Sequence, residues 1–275
     1  MIKRILVGLA GTEYTPVAIR YAVELASRDG AELTGVTVID VTRLENIGPI
    51  PLGGSQQARE LREHRFAVAR EHVEQAVLQF ESACQEAGLK HSIHHEESEP
   101  FSQIIALARY HDLKIFGLKG LVDHDIVEEP QDTMIKLVTS GVRPILAVGT
   151  EHREVRRVLV AYSGSTDSAK TFKRFAQMHL WPGVTVRVVH FSETADDGPA
   201  LVHDAAEYFR AHEYQVEEDC VEDSPKTRLL PYAAEWDADL IVAGNSSRKL
   251  LLRRVFGETA RILIQDSDRP LFLSQ

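Results

Sequence analysis

Glycine and small hydroxyl residues cluster at one place where a chain could hold a phosphate. Gly244-Asn245-Ser246-Ser247-Arg248 is followed, after eight intervening residues, by Gly257-Glu258-Thr259. Short side chains let backbone N–H groups come close to an anion, and a helix opening at Gly257 adds the positive end of its dipole. Lys249, Arg253 and Arg254 are close by in sequence and would neutralise charge. The same glycines also suit a tight strand-to-helix turn, so spacing alone leaves both uses open.

Metal and nucleophile chemistry find less support. Among 12 histidines, His91, His94 and His95 precede Glu96 and Glu97. On an extended strand His91, His95 and Glu97 share one face, and His94 and Glu96 share the other. A metal ion wants three or four converging ligands, and no second segment supplies partners. A solvated edge strand is the better reading. No nucleophile, base and orienting acid stand in a recognisable pattern, so no catalytic residue is assigned.

The elements that must position the glycines occur twice. Ile2-Lys3-Arg4-Ile5-Leu6-Val7-Gly8-Leu9-Ala10-Gly11-Thr12 returns as Val155-Arg156-Arg157-Val158-Leu159-Val160-Ala161-Tyr162-Ser163-Gly164-Ser165. Asp112-Leu113-Lys114-Ile115-Phe116-Gly117 returns as Asp239-Leu240-Ile241-Val242-Ala243-Gly244, and Arg143 to Val148 returns as Arg269 to Ser274. Three matches in one order mean two copies of a domain in tandem. The expected domains are residues 1–149 and 155–275, joined by the polar linker Thr150 to Glu154.

Short apolar β-branched runs alternate with longer amphipathic segments. Strands are expected at Ile5 to Leu9, Leu33 to Ile39, Ser92 to Glu96, Leu113 to Gly117 and Pro144 to Val148. In the second copy they are expected at Val158 to Tyr162, Val184 to Phe191, Tyr214 to Cys220, Leu240 to Ala243 and Pro270 to Ser274. Several are continuous apolar runs, as strands covered on both faces require. Helices are expected at Pro16 to Arg28, Ser55 to Ala87, Pro100 to His111, Thr166 to Leu180, Pro199 to His212, Pro225 to Trp236 and Val255 to Gln265. The fold class is therefore α/β, with two doubly wound domains, each a parallel sheet with flanking helices. Only the first copy carries a long Gly/Pro-rich loop, Val41 to Gly54, which reads as either a lid or a tolerated surface insertion.

Bulk properties narrow the class. The formal net charge of -10 argues against nucleic-acid binding. No apolar run approaches the ~20 residues that span a bilayer. The start, Met1-Ile2-Lys3-Arg4, leads straight into a strand-like run that recurs internally, so no signal peptide is expected. Cys84 and Cys220, one per copy, form no disulfide framework and suit a reducing compartment. A cytoplasmic protein without a membrane partner is expected.

The strand-one starts, the Asp239 to Gly244 run and the Arg269 to Ser274 ending resemble the universal stress protein family, over nearly the whole chain. The resemblance implies five parallel strands per domain and a nucleotide motif, G-x2-G-x9-G-[ST]. Carried over, it makes Gly244, Asn245, Ser246, Ser247, Arg248, Gly257, Glu258 and Thr259 a nucleotide site, with Ser247 replacing the second glycine. Glu258 stands where Ser or Thr is usual, and a carboxylate there repels phosphate unless it turns away or binds a cation. ATP-binding members carry an aspartate after strand one, where this chain has Ala10 and Ser163. In the first copy Gly117 and Gly120 match the opening pair, but Pro130 and Gln131 replace the third glycine and its hydroxyl partner. The implied site is degenerate in the first copy and partly retained in the second.

The resemblance further implies that Pro144 to Val148 and Pro270 to Ser274 meet, so that the chain imitates a homodimer as a monomeric pseudo-dimer, or itself forms homodimers. It implies ATP or a related adenine nucleotide, with Mg²⁺, as cofactor, an unidentified protein partner, and a regulatory stress-response role with at most weak ATPase activity. Two alternatives remain. Ser163-Gly164-Ser165-Thr166-Asp167-Ser168 is close to the SGGxDS loop of ATP pyrophosphatases, which would make an adenylating enzyme. Those residues also serve as helix caps, the plainer reading. The other alternative is a ligand-free interaction scaffold.

Overall fold

The computed structural model describes residues 1–37, 55–95, 100–118, 131–142, 144–194, 197–244 and 257–274. The 41–54 loop, Glu96 and Glu97, Gly120, Asn245 to Arg248, and the basic residues Lys249, Arg253 and Arg254 lie outside the described residues. The chain forms two compact units, Ile2–Leu137 and Val138–Gln275, the latter together with Met1.

In the first unit the order is β1 (Arg4–Leu9), α1 (Thr15–Asp29), β2 (Glu32–Thr37), α2 (Ser55–Glu86), β3 (His91–His94), α3 (Pro100–Ala108), β4 (Leu113–Gly117) and α4 (Gln131–Thr139). Its strands are parallel in the order β3-β2-β1-β4. β4 is buried along its whole length, and β1 from Ile5 onward, which explains their unbroken apolar runs. β3 is the outer strand with alternate residues exposed, and His94 lies on its open side. The 32-residue α2 buries Ala69, Val73, Ala76, Phe80 and Cys84 at spacings of three and four, a single stripe facing the sheet.

In the second unit the order is β5 (Ile145–Val148), β6 (Arg157–Ala161), α5 (Thr166–Met178), β7 (Thr185–Phe191), α6 (Gly198–Arg210), β8 (Gln215–Val221), α7 (Pro225–Glu235), β9 (Leu240–Gly244), α8 (Glu258–Asp266) and β10 (Leu271–Ser274). Five parallel strands run in the order β10-β9-β6-β7-β8. β5, the last strand of the first repeat, pairs antiparallel with β10, placing Ala147 opposite Leu271 and Ile145 opposite Leu273. The last strands of the two repeats therefore do meet. Hydrogen bonding to β10 groups β5 with the second unit, so the compact units divide at Leu137/Val138 although the sequence repeat divides after Gly149.

The repeated aspartates have a structural cause. Asp112 Oδ2 accepts the N–H groups of Lys3 at 2.8 Å and Arg4 at 3.1 Å. Asp239 Oδ2 does the same for Arg156 at 2.9 Å and Arg157 at 2.8 Å. Each carboxylate ties the turn before the fourth strand to the start of the first. Helix α4 is an element that sequence reading did not assign. It buries Met134, Leu137 and Val138, a short helical stripe just after Pro130.

Candidate functional site

The second unit has a topological switch beside β6. From β6 the chain runs outward to β7 and β8, then crosses back to β9 and β10 on the other side. β6 leads to β7 on one side and β9 to β10 on the other, and open α/β sheets bind ligands at the carboxyl ends of strands at such a switch. A cavity of about 130 Å³ lies there. Ala161, Phe191 and Ala243 line it from the strands, and Pro225, Leu229, Thr259, Ala260 and Leu263 from α7 and α8. Tyr162, Ser163, Ser168 and Gly244 complete the lining. The walls are apolar at the strands and carry hydroxyls near the helix starts. The volume is smaller than the roughly 300–1,000 Å³ of a drug-sized site, and suits one ring or one phosphate group.

Three hydroxyls meet at its rim. Ser163 Oγ lies 3.0 Å from Ser165 Oγ and 3.1 Å from Ser168 Oγ, which are themselves 3.0 Å apart. Ser165 caps α5: its backbone is extended and its Oγ accepts the Ser168 N–H at 3.2 Å. The Ser165 carbonyl takes both the Ala169 N–H and the Ser168 hydroxyl, each at 2.9 Å. The Ser163 to Ser168 loop is thus a capped helix start whose Ser168 and Ala169 amides bond internally. Tyr162 beside it is pushed up in pKa by burial and by the charge of Asp204, so its phenol stays protonated.

The comparisons with known proteins bear on this architecture. The sequence signature of the Universal stress protein family matches residues 1–115 and 154–274. The chain belongs to the universal stress protein family. The universal stress protein Slr1230 of Synechocystis sp. is 19% identical over 283 residues, spanning 98% of this chain and 99% of that protein. A universal stress protein structure from Archaeoglobus fulgidus superposes with a TM-score of 0.69 at 18% identity, covering 99% of this chain and 96% of the other. A putative universal stress protein from Pseudomonas aeruginosa gives 0.60 at 15% identity, over 99% and 93% of the two chains. At these identities the structures speak for the fold of a tandem universal stress protein.

The motif positions among the described residues can now be placed. Gly244 ends β9, and a Cβ there would lie 2.6 Å from Ser168 Cα and 3.1 Å from Asp167 O. The close approach this glycine permits is that of the first turn of α5 against the strand, while its backbone also lines the cavity. Gly257 is the residue before α8, with φ -64° and ψ 138°, a conformation open to any residue. Glu258 does not line the cavity. Its carboxylate forms an ion pair with Lys226 in the first turn of α7, so it turns aside as a phosphate would require. Thr259, one position later, lines it.

Ser163 lies on the lining at the strand-one position. Phe191, Leu229 and Lys226 escaped the sequence reading. They come from β7 and α7, far along the chain from the glycine motif, and no local spacing marks them. From α7, Tyr232 donates to Asp219 and accepts from Arg187 at 3.1 Å. Burial, then that aspartate, push its pKa to about 12, so the phenol keeps its proton. The Tyr232 ring meets Phe191 edge-on at 5.7 Å, linking this polar network to the cavity wall.

The first unit differs at the same places. Ala10 is buried at the end of β1, and Gly117 ends β4. Gly11, with φ +67°, has the backbone of His72 in α2 so near that a Cβ would lie 2.5 Å from its carbonyl carbon. A groove of about 560 Å³ between α1 and α2, lined by Ile19, Val23, Ala83 and Ala87, lies on helix flanks away from the strand ends. Among the described residues no group of three or more His, Cys, Asp or Glu could hold a metal ion, and no helix is long and apolar enough to cross a membrane.

Proposed function

We propose that the C-terminal module binds an adenine nucleotide at the β6/β9 switch point, and that this binding serves a regulatory role in the stress response. The base would lie in the cavity against Phe191, Leu229 and Ala243, and the phosphates would lie outside it, facing the start of α8. One observation carries the reading: the cavity lies beside the start of α8, and Glu258 is drawn off to Lys226 instead of projecting into it. Gly244, Gly257, Thr259 and Ser163 would belong to the site, with Asn245, Ser246, Ser247 and Arg248 carried over from the family motif.

The first module would bind weakly or not at all. Ala10 offers no side-chain acceptor, and Pro130 supplies no N–H where the motif wants glycine. Gly117 and Gly120 are the remnants of its motif. Magnesium would arrive with the triphosphate, since the oxygen groups among the described lining side chains are hydroxyls. The chain would work in the cytoplasm and pass its state to a protein partner.

The test is isothermal titration of nucleotide-stripped protein with ATP, with and without Mg²⁺. The expected result is one site per chain. Two equal sites would sink the assignment to one module, and no heat with any adenine nucleotide would leave a ligand-free scaffold. The adenylating alternative predicts pyrophosphate release. The internal bonding of Ser165, Ser168 and Ala169 speaks against it, because those groups would have to be freed to hold pyrophosphate.

A further inference from the structure

The Lys226–Glu258 pair, we infer, is a charge-exchange latch on the C-terminal cavity. An anionic ligand arriving at the start of α8 takes Lys226 from Glu258 and becomes its new partner. The inference rests on the nucleotide reading above and adds a phosphate-binding residue and a means of signalling to it.

The pair is placed for this exchange. Pro225 and Thr259 line the cavity from α7 and α8, and Lys226 and Glu258 are their immediate neighbours in sequence. The ion pair therefore ties the first turns of the two helices together at the cavity. The side chains remain 48% and 66% exposed. Exposed pairs of this kind are weak and exchange at little cost. Glu258 also stands in the first turn of α8, where the helix dipole favours negative charge. Drawn to one side of the cavity, it competes with an arriving anion for the lysine and not for the anion's place. Lys226 brings three donors on a flexible stem, and a phosphate group offers it more charge than one carboxylate.

The first module has a different contact at this position. Both helices open on proline, in Pro100-Phe101 and Pro225-Lys226. Where the second module has the lysine, the first has Phe101, whose ring is covered by Lys136 of α4 with Nζ 4.1 Å from its centroid. That contact also joins the two helices, but the residue at the Lys226 position is itself an uncharged ring. Losing the Glu258 tie when ligand binds would free the start of α7 from that of α8, so occupancy would be felt on the outer surface of the module.

The experiment titrates the full chain with ATP and with adenosine, in wild type and in Lys226→Met, Lys226→Arg and Glu258→Gln. Lys226→Met is expected to weaken ATP binding roughly tenfold, the loss of one charge-assisted contact. Adenosine affinity should not change, and Lys226→Arg should restore most of the ATP affinity. Glu258→Gln, which removes the competitor, is expected to tighten ATP roughly three- to fivefold. Thermal unfolding of each variant near the wild-type midpoint would show that the exposed positions leave the fold intact. ATP binding within twofold of wild type in Lys226→Met, or weakened in Glu258→Gln, would overturn the latch and leave nucleotide binding standing. A wild-type chain that binds neither ATP nor adenosine would remove both.

Discussion

The two modules share an origin and differ most where their strands end. In the second, Gly164 follows the first strand with φ +72°, and a Cβ would meet the Leu201 Cδ1 atom at 2.9 Å. In the first, Gly11 has nearly the same φ but faces the backbone of His72 at 2.5 Å. A side-chain tip can move, whereas a helix backbone cannot without moving the helix. In the first module the backbone of α2 lies close against the residue after β1, and at that level the second module has hydroxyls and a cavity. The lesson is that one glycine in a repeat can answer to two constraints, and only the neighbours say which.

The largest effect expected breaks this comparison at the glycines. Gly11→Ala combines a strained positive φ with a clash against backbone, and should cost about 3 kcal/mol or more. Gly164→Ala carries the same strain but meets a flexible leucine, so about 1–2 kcal/mol is expected. Urea unfolding of the two variants measures both. Equal losses would show that the α2 backbone yields as readily as Leu201.

Next comes the site. Gly257→Val places a branched side chain at the residue before α8 and should weaken ATP binding by roughly a hundredfold or more, about 3 kcal/mol, by blocking close backbone approach. A valine cap also weakens the helix start by about 1 kcal/mol, so Gly257→Ala serves as control. Titration that finds unchanged ATP affinity in Gly257→Val would move the cradle away from α8. A variant in the first module, Gly117→Ala, should leave the stoichiometry at one.

A smaller and symmetric effect should come from the aspartates that link the first and fourth strands. Asp112→Ala and Asp239→Ala each remove an acceptor from two N–H groups. Partial exposure lets water replace some of the bonding, so each should cost about 1–2 kcal/mol. Here the modules should agree, because the geometry is the same in both. A large difference in urea midpoints would mean that one module depends on this anchor more than its repeat does.

How much of this was legible follows from how local each signal is. β1, β4, β6 and β9 could be read directly because strands covered on both faces need unbroken apolar runs. The repeated aspartates marked the fold because they do the same job twice. Helix α4 was missed because nine residues after a proline leave little periodicity to see, even though Met134, Leu137 and Val138 form its buried stripe. Of the residues that line the cavity, Gly244 and Thr259 could be singled out in the sequence because one short motif contains both. Phe191 and Leu229 were not, since the topology brings them in from β7 and α7. The orientation of Glu258 was undetermined for the same reason: it depends on Lys226, which is 32 positions earlier and on another helix.

The smallest expected effect concerns pH and again sets one module against the other. His111 precedes β4 and is 6% exposed, where the second repeat has Ala238. Its Nδ1–H donates to the Leu107 carbonyl at 2.7 Å, while Nε2 is buried without a hydrogen-bond partner. Burial holds the imidazole below its ordinary pKa, aided by the positive charge of Arg4, Lys114 and His94 and opposed by the Leu107 bond. In the folded chain the group therefore resists a proton that the unfolded chain accepts near pH 6.5. The sign follows: the neutral ring's contribution is complete above about pH 6.5 and is lost as pH falls through the lowered folded value. Urea midpoints taken from about pH 7.5 down to about pH 5 should fall for the wild type, and His111→Ala should flatten part of that slope. Since alanine occupies the matching place in the second module, the variant makes the two modules alike in this respect. A slope that survives the substitution unchanged would mean that acid acts through other groups and that the buried ring in the first module carries no share of its sensitivity.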